Sequence, residues 1–133
     1  MLVVHASGAV QACLAARGFA LFGDEELAAP ALMWSEASSV IRELRWRREI
    51  SDRLASVAFE ALLAAPVSRR TPRRLRREAW RLADKLGWAK TYDAEYVALA
   101  LLLRCRLFSV DGRLRRGAGH LVEIIGPDEL ENA

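Results

Sequence analysis

Short apolar runs alternate along the chain with stretches in which apolar residues recur every three or four positions. Leu2–Val4 reads as a buried strand. Ser7–Arg17 reads as a helix with Ala9, Val10, Cys13 and Leu14 on one face. Gly18–Glu26 is a loop or short connecting turn, and Leu27–Ala29 is a second short strand stopped by Pro30. A helix is expected over Ser35–Arg48, with Ala37, Val40, Ile41 and Leu44 at helical spacing. Another is expected over Arg53–Ala65, capped by Ser51 or Asp52 and stopped by Pro66. Val67–Arg70 is a candidate third strand. Thr71 then caps a helix with Pro72 at its first position, which carries Leu75, Ala79, Leu82 and Leu86 and ends at Gly87. Tyr92–Arg104 is apolar nearly all round, as a buried helix is. Leu107–Val110 is a strand, Gly112–Arg116 a helical turn and Leu121–Ile125 a last strand. Short strands separated by helices predict a mainly parallel central sheet covered by helices on both faces. The 133 residues suit one compact domain spanning 1–133.

Composition narrows the class of protein. Hydrophobic residues make up 53% of the chain, which argues against disorder. The cysteines, Cys13 and Cys105, fall in apolar helical patterns and read as buried free thiols, with no Cys/His cluster for zinc. No apolar run is long enough to span a membrane and no basic region precedes an apolar leader, so a cytoplasmic location is expected. The formal charge is +3, and of the twenty basic residues all but Lys85 and Lys90 are arginine. That bias reflects either genome composition or the use of arginine as a bidentate phosphate clamp.

Three acids sit where a core would not place them. Glu36 lies one turn before Val40 and two before Leu44. Asp93 lies one turn before Val97 and two before Leu101. Asp111 ends the strand LFSV. A buried carboxylate needs a partner. Each acid has a local explanation: Glu36 and Asp93 complement helix dipoles, Asp93 caps its helix, or Asp111-Gly112 forms a hairpin turn. Taken together, one strand end and two helix starts can meet at one edge of a parallel sheet. Carboxylates that meet there repel unless a divalent cation lies between them, and an all-oxygen set without thiolate favours Mg²⁺ or Mn²⁺.

The stretches LVVHASGAV, APALMWSEASSVIREL and TYDAEYVALALLLRCRLFSVDGRL resemble a PIN domain of the kind found in VapC toxins, over residues 1–126. The resemblance implies a PIN-like three-layer α/β/α fold and a metal-dependent endoribonuclease toxin of a type II toxin–antitoxin module. It further implies a protein that is usually a homodimer and is held inactive by a VapB-like antitoxin. Glu36, Asp93 and Asp111 match three of the family's acids by position and would serve as catalytic residues and metal ligands, with Mg²⁺ or Mn²⁺ as cofactor. Ser109, two residues before Asp111, matches the hydroxyl of the family's [ST]-x-D motif and would support a ligand carboxylate. Thr91 would do the same or cap its helix.

His5 stands where the family's first aspartate stands. It reads as a fourth member of the metal site, better suited to Mn²⁺ than to Mg²⁺, or as a structural residue of the turn. The substitution removes one negative charge. It leaves open a second function, a catalytically inactive PIN domain that binds RNA or an antitoxin. Seven arginines lie between Arg69 and Arg81, and Arg42, Arg45, Arg47 and Arg48 form another cluster. Each is either a solvated helix face or a phosphate track, with Arg73, Arg74, Arg76 and Arg77 as the candidate RNA-binding residues. Trp46, Trp80 and Trp88 either stack on bases or pack in the core or an interface. His120 carries no signal beyond a loop position.

Overall fold

The computed structural model describes residues 1–131. Five short parallel strands form one sheet: β1 (Leu2–Val4), β2 (Leu27–Ala29), β3 (Val67–Arg69), β4 (Arg106–Phe108) and β5 (Ile124–Ile125), in the order β3-β2-β1-β4-β5. β1 is central, with Leu2 opposite Leu27 on one side and Arg106 on the other. It is fully buried, which is why it reads as an unbroken apolar run. The helices are α1 (Ala6–Leu14), α2 (Leu32–Trp46), α3 (Asp52–Leu63), α4 (Leu75–Leu86), α5 (Tyr92–Leu103), α6 (Gly112–Ala118) and α7 (Pro127–Glu131). α1, α2 and α3 pack on one another, α4 packs on α5, and α5 lies against β1 and β4, giving a three-layer α/β/α arrangement. Tyr96 to Ala100 of α5 are buried without interruption, as the all-apolar pattern requires.

From β1 the chain crosses to β2 on one side, while β4 continues to β5 on the other. The carboxyl ends of β1 and β4 therefore flank the point where the strand order reverses, the place where a parallel sheet opens a crevice. The two strands are drawn tightly together there. His5 N–H donates to the Phe108 carbonyl at 2.9 Å. A Cβ on Gly8 of α1 would come within 2.5 Å of the Phe108 ring, so only glycine lets the helix approach β4 this closely.

Several boundaries differ from the sequence reading. α1 starts at Ala6 with His5 as its N-cap, and it ends at Leu14 because Ala15 is extended. A 3-10 turn, Gly18–Phe22, follows. α2 begins at Leu32, since the Pro30 carbonyl already accepts the Met33 N–H at 3.0 Å. Thr71 does not cap α4. Pro72 sits in a turn whose carbonyl accepts the Leu75 N–H, so Arg74 becomes the N-cap and the helix starts three residues later than Pro72 suggested. β4 runs from Arg106 to Phe108; the Ser109 N–H still donates to the Ile125 carbonyl at 3.0 Å, and the chain then leaves the sheet toward the Asp111 N-cap of α6. The last strand is only Ile124–Ile125, and α7 follows it. Cys13 is buried, and burial pushes its thiol up to about 11, whereas Cys105 is only half-buried.

Candidate active site

The element ends bring three of the expected acids to one cleft. Glu36 from the second turn of α2, Asp93 from the first turn of α5 and Asp111 from the N-cap of α6 line it, together with Lys90, Trp88 and Arg113. All three carboxylates are half-buried. Each has one oxygen engaged. Tyr96 O–H donates to Glu36 Oε1 at 2.6 Å. His5 Nε2 lies 3.0 Å from Asp93 Oδ1. The Arg113 N–H donates to Asp111 Oδ1 at 2.9 Å, an N-cap bond that also draws the Arg113 guanidinium to within 3.9 Å. Among the described residues no three His, Cys, Asp or Glu side chains close on a common point as a preformed ion cage. The donor chemistry of the three carboxylates nonetheless fits a hard divalent cation, since every available atom is oxygen.

His5 lies beneath this cleft, only 6% exposed. Its ring meets that of Tyr96 edge-on at 4.6 Å. The hydrogen bond from His5 is the main cause holding the Asp93 carboxyl below its usual range, against the opposing effect of partial burial. Tyr96 is wholly buried, and burial together with its bond to Glu36 pushes its hydroxyl far up, so it stays a donor. Ser109 makes no side-chain bond to any of the three carboxylates. Its Oγ accepts the Asp111 N–H at 3.0 Å and lies 3.2 Å from Ser7 Oγ. Thr91 makes no side-chain capping bond to α5.

Four residues that sequence reasoning passed over belong to this neighbourhood: Ser7, Lys90, Tyr96 and Arg113. Tyr96 was hidden inside an apolar run. Ser7 carried a faint signal, a hydroxyl two positions after the turn histidine. Glu95 is a further acid nearby, its carboxyl raised chiefly by burial and also by Glu36, while Arg76 opposes the shift. Arg73, Arg74, Arg76 and Arg77 are all exposed around the start of α4, and Arg73 and Arg74 help shape a shallow groove with Arg69 and Arg70. Arg45 and Arg47 are instead paired with Asp52 and Glu43. Trp46 and Trp80 are 79% and 72% exposed, so neither packs in the core, whereas Trp88 is partly buried against it.

A parallel α/β sheet with three carboxylates over the ends of its central strands has recognisable relatives. The PIN domain family profile matches residues 10–119. A VapC ribonuclease from Mycobacterium bovis, Mb0985, is 34% identical over 115 residues, covering 86% of this chain and 88% of the relative. Ribonuclease VapC12 of Mycobacterium tuberculosis is 34% identical over 128 residues, covering 93% and 97%. The crystal structure of PAE2754 from Pyrobaculum aerophilum shares the fold with a TM-score of 0.73 at 22% identity, over 99% of this chain and 97% of that one. The chain belongs to the PIN domain family, in its VapC branch. Among the described residues no helix is long and apolar enough to cross a membrane.

Proposed function

We propose that the chain is the endoribonuclease toxin of a type II toxin–antitoxin module, hydrolysing RNA phosphodiesters with Mg²⁺ or Mn²⁺ held by Glu36, Asp93 and Asp111. The observation that supports this most is the meeting of these three half-buried carboxylates in one cleft at the crevice between β1 and β4. When bound, the cation supplies an acidified water and stabilises charge on the phosphoryl oxygens. The chain does the rest. Asp93 or Asp111 orients the attacking water, Tyr96 fixes Glu36, and Arg113 and Lys90 on the cleft wall attract a phosphate. The two cysteines are free, which suits action in a reducing cytoplasm. A VapB-like antitoxin and a second copy of the chain are the proposed partners. The exposed Val57, Phe59 and Leu63 of α3 are apolar surface for such contacts. The test is incubation of the intact chain with RNA in Mn²⁺, with and without EDTA. Cleavage lost on chelation is expected. Binding without cleavage would favour a second reading, an inactive PIN domain that holds RNA or antitoxin, and His5 in place of an acid is the observation behind it.

The arginines at the start of α4 are proposed as the RNA track. Arg76 lies within electrostatic reach of Glu95, which in turn senses Glu36, so the basic segment approaches the acids at that end. Replacing Arg73, Arg74, Arg76 and Arg77 together by glutamine is expected to weaken RNA binding and to flatten its salt dependence by about 0.7 per lost phosphate contact on a single strand. Binding isotherms at several salt concentrations give the slope. An unchanged slope would assign this segment to solvent or to the antitoxin.

A further inference from the structure

His5 has two neighbours that together fix which of its nitrogens carries hydrogen. At Nδ1, the Ser7 backbone N–H approaches at 3.3 Å as the N-cap bond of α1, and Ser7 Oγ lies at 2.8 Å. A backbone N–H can only donate, so Nδ1 must present its lone pair. The proton of the imidazole then sits on Nε2, 3.0 Å from Asp93 Oδ1. The surrounding hydroxyls agree with this direction. Ser109 Oγ accepts the Asp111 N–H at 3.0 Å and has its own hydrogen free for Ser7 Oγ at 3.2 Å or His5 Nδ1 at 3.5 Å, and either choice leaves Nδ1 an acceptor. Ser7 Oγ also accepts the Val110 N–H at 3.1 Å, which leaves its own hydrogen for His5 Nδ1. Every bond in the series Asp111 N–H, Ser109, Ser7, His5, Asp93 can thus run the same way, and such a chain polarises each member.

We propose that His5 is not a metal ligand but a positioning residue, a fixed Nε2–H donor that occupies the side of Asp93 Oδ1 where a cation would otherwise be served by an acid at position 5. To ligate, Nε2 would have to lose its hydrogen, and Nδ1 would then turn an N–H against the capping N–H of Ser7. An aspartate would cap α1 equally well. The histidine therefore keeps the cap of this turn and replaces the anion with a neutral donor. The chain binds divalent cations more weakly for that reason. This inference rests on the reading of Glu36, Asp93 and Asp111 as the ion site.

The test uses the intact ¹⁵N-labelled chain, with two-bond ¹H–¹⁵N correlation of its two imidazoles and His120→Gln to assign them. His5 is expected as the neutral ring with Nε2 protonated and Nδ1 bare, unchanged through a Mg²⁺ titration. A bare Nε2, or an Nε2 that loses its hydrogen as Mg²⁺ is added, would overturn the proposal. In parallel, Mn²⁺ affinity is read from the electron paramagnetic resonance of the free ion. His5→Asp is expected to bind at least about tenfold more tightly than the parent chain, the scale on which groups orienting a ligand act. Equal, measurable affinities would overturn the proposal. If Mn²⁺ binds neither protein while Nε2–H is seen, the ion site itself is wrong and the donor role of His5 toward Asp93 stands.

Discussion

In Mg²⁺ below saturation, the His5→Asp protein is expected to cleave RNA at least about tenfold faster than the parent chain, which needs only about 1.4 kcal/mol more ion affinity. The substitution places a full negative charge where His5 Nε2 now lies 3.0 Å from Asp93 Oδ1. Near a protein surface a unit charge a few ångströms from an ion contributes on the order of a few kcal/mol before desolvation is subtracted. The fold should tolerate the change, because the new carboxylate can accept the same Ser7 N–H that caps α1. The gain is expected in Mn²⁺ as well as in Mg²⁺, since the histidine as held here lends a lone pair to neither. A histidine acting as ligand would instead spare Mn²⁺. Single-turnover cleavage of one RNA by both proteins, across a titration of each ion, separates the two. Equal rates in Mg²⁺ would remove position 5 from any account of the reaction.

With the ion held as proposed, Asp93→Asn and Asp111→Asn should each reduce cleavage by at least about a hundredfold, because an ion-holding charge underlies several kcal/mol of transition-state stabilisation. Both changes keep the local hydrogen bonds. Asparagine Oδ1 at position 93 can still accept from His5 Nε2, and at position 111 it can still take the Arg113 N–H as an N-cap. Loss of activity with unchanged melting temperature would therefore report on charge. A variant at either position that cleaves like the parent chain would sink the assignment of that acid.

Much of this architecture is legible in the sequence, for identifiable reasons. Strands β1 and β2 were readable to the residue because each is a fully buried run with a stop after it, a turn histidine in one case and Pro30 in the other. Glu36 and Asp93 stood out as acids on apolar faces, and the structure brings both to one cleft with Asp111. What escaped was set by tertiary geometry. Pro72 looks like a first helical residue, yet the turn closing on Leu75 defers the helix. α7 follows from a signal that is local. Pro127 suits a first turn, and Glu129 reaches back to accept the Gly126 N–H at 2.9 Å, as an acid three residues into a capping box does. The local halves of the polar series, His5 with Ser7 and Ser109 with Asp111, lie two residues apart, but the link between Ser7 and Ser109 could not be read, because the pairing of β1 with β4 brings them together.

That pairing has a consequence for how the protein assembles. β1 cannot complete its ladder until β4 arrives, which closes a loop of roughly 100 residues and makes the central contact of the sheet one of the most distant in sequence. Such closure comes late and slowly. A growing chain on the ribosome would carry His5 and Glu36 long before Asp111 exists to join them, so the cleft forms only once synthesis has passed the start of α6. In the finished molecule the His5 amide, bonded to Phe108 across this closure, is placed to exchange its hydrogen only when the whole sheet opens.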